Sequence, residues 1–216
     1  MRFCFLLLIL LFSGELLSGQ DSWDWRDPVD LGFIDLADNK LLLYNAIGTG
    51  LISLLNSESS KDSSRYWSFH GEYYREYERS PLSNLYLVRS RLSWPIKQCL
   101  HIGADFKGFG VFDEDVKTAG LGAELTFRWY LYSGSKVRLA YDNGVGPNFF
   151  LQSFPSGGTR FSFSSHYGLM IQVKLASERW ITLGIRNIHI SNADIKGVDR
   201  NPALDGLGLI FGISIK

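Results

Sequence analysis

Where the charges fall is what most constrains this chain. From Tyr66 onward it reads as strand-length segments with period-two alternation, at 66–77, 84–95, 99–113, 118–132, 136–149, 160–175, 180–192 and 204–216. Short turns such as SGS at 133–135 and ASER at 176–179 separate them. In the later segments one parity is apolar or aromatic: Leu121, Leu125, Phe127, Trp129 and Leu131, then Phe161, Phe163, Tyr167, Leu169, Ile171 and Val173. The other parity holds glycines and charges of both signs, among them Glu72, Arg89, Arg91, Asp105, Lys107, Glu124, Arg128, Arg138, Asp142 and Arg186. A soluble sandwich alternates too, so alternation alone does not decide. Charges of both signs at mid-strand suit a narrow polar interior, and a wide greasy outside suits lipid. The expected fold is all-β, a transmembrane antiparallel β-barrel of about eight strands over residues 64–216. The segment 99–113 breaks parity near Gly108, since Phe106 and Phe109 cannot share a face without a bulge there.

The segment before the barrel reads differently. MRFCFLLLILLFSGELLSGQ has a basic residue, an apolar run from Phe3 to Phe12 and small residues at Ser18 and Gly19, the layout of a secretory signal over residues 1–19. A retained anchor is the alternative, although the run is short for a bilayer. Cys4 lies within that signal, so the exported chain keeps only Cys99 and forms no internal disulfide. Residues 20–63 leave three options open: Leu43, Ile47, Leu51 and Leu54 have helical spacing, which suits an amphipathic surface helix or a periplasmic plug, while the same stretch has the length of an extra strand. With 22 basic and 22 acidic side chains, nothing in the charge points to nucleic acid.

The function is written at the end of the chain. In 180–192 the odd positions are Ile181, Leu183, Ile185, Asn187, His189 and Ser191, and in 204–216 they are Asp205, Leu207, Leu209, Phe211, Ile213 and Ile215. Both odd sets belong to the lipid face, so His189, Ser191 and Asp205 share the outer wall on neighbouring antiparallel strands. With both ends of the barrel in the periplasm, strand seven runs outward and the three cluster at the extracellular rim. A hydroxyl, an imidazole and a carboxylate in that relation suit a serine hydrolase: the base takes the serine proton and the acid orients the base. Facing lipid, such a site would act on an ester in lipid. Asn192, with Ala193 beside it, is the candidate donor to the oxyanion, although its parity requires distortion at the strand end. Asn143, polar on the lipid parity, is a further candidate for substrate contact. The bland reading is a set of rim residues, where polar groups cost little.

His189-Ile190-Ser191-Asn192-Ala193, followed by Asn201-Pro202 and then Asp205, resembles the signature of the lipid A 3-O-deacylases, the PagL-like outer-membrane barrel enzymes. The resemblance extends back through GLMIQVKLASERWITLGIRNIHISNA and weakens upstream of about Lys136. It implies an eight-stranded barrel with an exterior site, a carboxylic ester hydrolase with Ser191 as nucleophile and His189 as base, and removal of the 3-linked hydroxyacyl chain of lipid A. It implies lipopolysaccharide and outer-membrane lipids as partners, a possible homodimer, no nucleic acid and no cofactor or metal. Two residues depart from the family pattern: Asp205 stands where a glutamate is usual, and Ala203 where a glycine follows Asn-Pro.

Other features have plainer readings. His70, His101 and His166 read as hydrogen-bonding groups of the lumen, since they lack metal-ligand spacing. Trp67, Trp94, Trp129 and Trp180 sit toward strand ends and read as interfacial belts. Asp194, Lys196, Asp199 and Arg200 read as a solvated loop, or as contacts to a lipid head group. The competing functions are a non-catalytic structural barrel and another lipid-active barrel such as a phospholipase, which would call for calcium ligands that the acidic residues do not cluster to provide.

Overall fold

The computed structural model describes residues 64–77, 82–97, 99–112, 117–176, 178–192 and 202–216. The expected signal over 1–19, the options for 20–63, and Ala193 with its loop lie outside these residues. Eight strands are formed: β1 (Tyr66–Glu76), β2 (Asn84–Pro95), β3 (Leu100–Phe112), β4 (Lys117–Ser133), β5 (Val137–Phe150), β6 (Phe161–Ala176), β7 (Arg179–Ser191) and β8 (Leu204–Ile215). Each pairs antiparallel with the next, and β1 pairs with β8, so the sheet closes into a barrel without a free edge. Closure satisfies the backbone groups that lipid cannot. The connections 96–99, 134–136 and 177–178 are all short, while at the other end 113–116 is short and those at 77–83, 151–160 and 192–203 are longer, which puts the end with only short turns on the periplasmic side.

The mid-lumen is a network of ion pairs. Arg89 contacts Glu72 at 2.6 Å, Asp105 at 2.5 Å and also Glu124. Arg91 joins Asp105 at 2.7 Å to Asp142 at 2.8 Å, and Arg128 and Arg186 reach the same Asp142 at 2.6 and 3.1 Å. Lys107 lies 2.9 Å from Glu124. A barrel of this size is just wide enough for side chains to fill, so these charges pack a plug rather than line a channel. Glycines on the inner parity make the room: a Cβ at Gly208 would fall 2.3 Å from the Tyr74 ring.

Toward the extracellular end the lumen turns apolar. Tyr74, Leu85, Leu87, Phe109, Val111, Phe150, Phe154, Ile188, Ile190 and Leu204 form one buried cluster. This overturns the expected bulge near Gly108. The pairings of β3 run unbroken through Gly108 to Val88 on one side and Leu121 on the other, with Phe106 outside at 66% exposure and Phe109 inside at 4%. An aromatic ring has an apolar place inside, so parity never needs to break. The register shifts instead between Tyr130 and Tyr132, and between Lys174 and Ala176.

Trp180 is a second correction. Trp67, Trp94 and Trp129 lie on the outer parity near the periplasmic ends, as a belt requires. Trp180 lies on the inner parity of β7, and the Arg138 guanidinium stacks 3.9 Å from its ring centre. Of the histidines, His101 Nδ1 lies 3.2 Å from the Tyr66 hydroxyl and His166 Nδ1 lies 3.0 Å from a Glu124 oxygen. His70 is buried with neither ring nitrogen bonded among the described residues.

Candidate active site

The end of β7 and the start of β8 bring two of the expected site residues into direct contact. His189 is the cross-strand partner of Asp205, and His189 Nδ1 lies 3.0 Å from Asp205 Oδ1. With the proton assigned to Nδ1, that nitrogen donates to the carboxylate, and Nε2 is left to face a substrate. The pairing is a direct result of sequence: odd positions of both strands point outward, and the β7–β8 register sets 189 against 205.

Ser191 is two residues further along β7, on the same face as His189 and paired to Phe163 of β6. Two residues of extended chain place its Cα roughly 6.6 Å from that of His189. Among the described residues no hydrogen bond joins the serine hydroxyl to the imidazole. Such contacts are often long before substrate binds and tighten in the complex. The structure thus joins His189 to Asp205 and brings Ser191 alongside on the same face.

The site is recessed rather than bathed in lipid. Along β8 the outward residues Leu207 and Leu209 are 57% and 65% exposed, yet Asp205 is 2% exposed, and on β7 Ser191 is 3% exposed against 53% for Ile185. Asn192, next after β7, is buried. A carboxylate on an outer wall needs such cover, because a charge facing hydrocarbon is costly.

Asn143 is on the outer parity of β5, paired with Phe127 on β4 and Tyr167 on β6. It is buried, and its Oδ1 has no hydrogen-bond partner among the described residues. Two strands and four positions separate it from Ser191 on the ladder, roughly 16 Å by strand rise and spacing. It lies deeper on the outer wall than Ser191, level with Asn187.

Four neighbours escaped the sequence reading as site residues. Ser165 is the other cross-strand partner of His189, and Tyr167 stands between Asn143 and Asn187 in one row. Asn187 Nδ2 donates a 2.7 Å hydrogen bond to the hydroxyl of Tyr77. Asn187 and Ser165 carried a signal, being polar on the lipid parity. Tyr77 carried none, since its place depends on β1 meeting β8.

A family model described as Lipid A 3-O-deacylase (PagL) matches residues 53–214. Among solved structures the chain is similar to Neisserial surface protein A, with a TM-score of 0.57 at 12% identity, covering 72% of this chain and 99% of that one. It is likewise similar to the outer membrane enzyme PagL, with a TM-score of 0.53 at 15% identity, covering 67% of this chain and 97% of that one. Comparison with curated proteins gives no match.

Proposed function

The chain belongs to the lipid A 3-O-deacylase (PagL) family of the bacterial outer membrane, and from that premise we propose that it removes the 3-linked hydroxyacyl chain of lipid A as a serine esterase. The observation that carries this reading is the 3.0 Å contact between His189 and Asp205, made from two strands on the outer wall with Ser191 alongside.

In this mechanism the Ser191 hydroxyl attacks the carbonyl carbon of the ester while His189 Nε2 accepts the serine proton. Asp205 accepts the hydrogen bond from Nδ1 and steadies the imidazolium as it forms. The oxyanion of the tetrahedral intermediate takes donors from the segment after Ser191, where Asn192 and Ala193 supply backbone N–H groups and Asn192 an amide; one such donor is worth about 3 to 4 kcal/mol. Collapse breaks the ester bond, and His189 returns its proton to the departing sugar oxygen. Water, deprotonated by the same imidazole, then frees the hydroxy acid from Ser191. The site lies at the end of the barrel that bears the longer loops, level with the outer leaflet. Asn143, deeper on the wall, would contact the acyl chain.

The test is turnover of detergent-dispersed lipid A by the purified protein, read by mass spectrometry as loss of one hydroxyacyl chain. Wild-type protein should release it and Ser191→Ala should not. If both forms leave lipid A intact, the barrel is structural; if the protein cleaves glycerophospholipids instead, it is a phospholipase.

A further inference from the structure

One hydrogen bond on the outer wall crosses an entire strand. Asn187 is on β7, Tyr77 directly follows the last residue of β1, and β8 lies between those strands in the closed barrel. The 2.7 Å bond from Asn187 Nδ2 to the Tyr77 hydroxyl therefore lays the phenol across the face of β8. The register says where. Tyr77 N donates to the carbonyl of Asp205 at 3.1 Å, so the side chain starts level with Asp205. Asn187 is paired with Leu207, so the phenol ends two residues deeper. The ring thus passes over β8 on the membrane side of the carboxylate that contacts His189. Burial agrees at Asp205, which is nearly inaccessible on the parity that otherwise faces lipid, whereas Leu207, level with Asn187, and Leu209 beyond it are widely exposed.

Taking the esterase reading as its basis, we propose that Tyr77 and Asn187 are positioning residues that hold the Asp205 carboxylate on His189 and keep hydrocarbon off the pair. Two physical needs are met at once. A carboxylate on this wall requires a polar or protein-covered surrounding to stay ionised. An aspartate, one methylene shorter than glutamate, reaches the imidazole only if its backbone is kept close, and β8 is tied at this level both to β7 and, through Tyr77 N, to the end of β1. The strap adds a side-chain tie over the same stretch.

The test compares kinetics rather than activity alone. Tyr77→Ala removes cover and tie together, and kcat should fall about 10²-fold, the scale of a roughly 1 Å misplacement of catalytic groups, with KM little changed. Tyr77→Phe keeps the ring but removes the hydrogen bond to Asn187, and should fall between the two. Adding Asn187→Leu to Tyr77→Phe should lower kcat little further, since the bond that joins the two is already gone. Heat-modifiable gel mobility selects the folded fraction, and Tyr77→Phe carries the test if Tyr77→Ala does not fold. A kcat equal to wild type in the Tyr77 variants, or a loss that falls on KM rather than kcat, overturns the proposal while leaving the esterase intact. A wild-type protein that releases no acyl chain overturns the esterase reading and this proposal with it.

Discussion

The lumen and the outer wall both hold carboxylates against cations, at similar distances and with different consequences. Inside, Glu72, Asp105, Glu124 and Asp142 each meet more than one basic group, and Arg89 alone contacts three of them. Outside, Asp205 meets one imidazole, through its Nδ1, with Ser191 two residues along the same face. The interior charges are shared among several partners, so removing one strands the others. The outer carboxylate belongs to a single pair.

The sharpest way to break this contrast is at the outer pair. Asp205→Asn should lower turnover of lipid A about 10⁴-fold, since an amide neither selects the productive tautomer nor steadies the imidazolium. Asp205→Glu should retain activity. Equal turnover in all three forms would reduce the site to a His189–Ser191 dyad. The folded barrel should persist throughout, by gel mobility without heating.

Inside, the expected loss is one of stability. Asp142→Asn strips a carboxylate contacted by Arg91, Arg128 and Arg186 and leaves three guanidiniums to share the remainder. Breaking a buried pair from one side costs about 3 to 5 kcal/mol, which denaturant titration in detergent should read as a lower midpoint. Turnover per folded molecule should stay near wild type; a kcat loss as large as that of Asp205→Asn would erase the distinction between the regions. Replacing the whole cluster by apolar residues of matched volume would be far less harmful, because desolvation offsets much of the attraction.

The smallest effect should come from the outer of two phenylalanines three residues apart. Phe109→Ala opens a cavity in the apolar upper lumen and should cost about 3 to 5 kcal/mol. Phe106→Ala, facing lipid, should cost much less, since lipid fills the space. Equal losses in denaturant titration would mean that one of them is on the wrong side of the wall.

Parity made most of this architecture legible. The eight segments fall within a residue of the observed strands at every end, because alternation with charges on one side leaves one way to roll the sheet. The exterior facing of His189, Ser191 and Asp205 followed from the same count, and the pairing of His189 with Asp205 from the adjacency of β7 and β8. Parity failed where the lumen changes character along its length. It assumed a polar interior throughout, so Phe109 demanded a bulge, and Trp180, being aromatic, was sent to the belt instead of under Arg138. Tyr77 was illegible for a different reason. Its partner is more than a hundred positions away, and nothing local says which strand closes on β1.

The seam between β1 and β8 also bears on timing. It joins the two parts of the barrel most distant in sequence, and contacts of that separation form last. Asp205 is on that seam and Tyr77 reaches across it. A barrel still open at the seam would hold Ser191 and His189 but lack the cover of Tyr77 beside Asp205. On the esterase proposed above, assembly order would then work as a safety catch, with the site completed by the same event that closes the barrel.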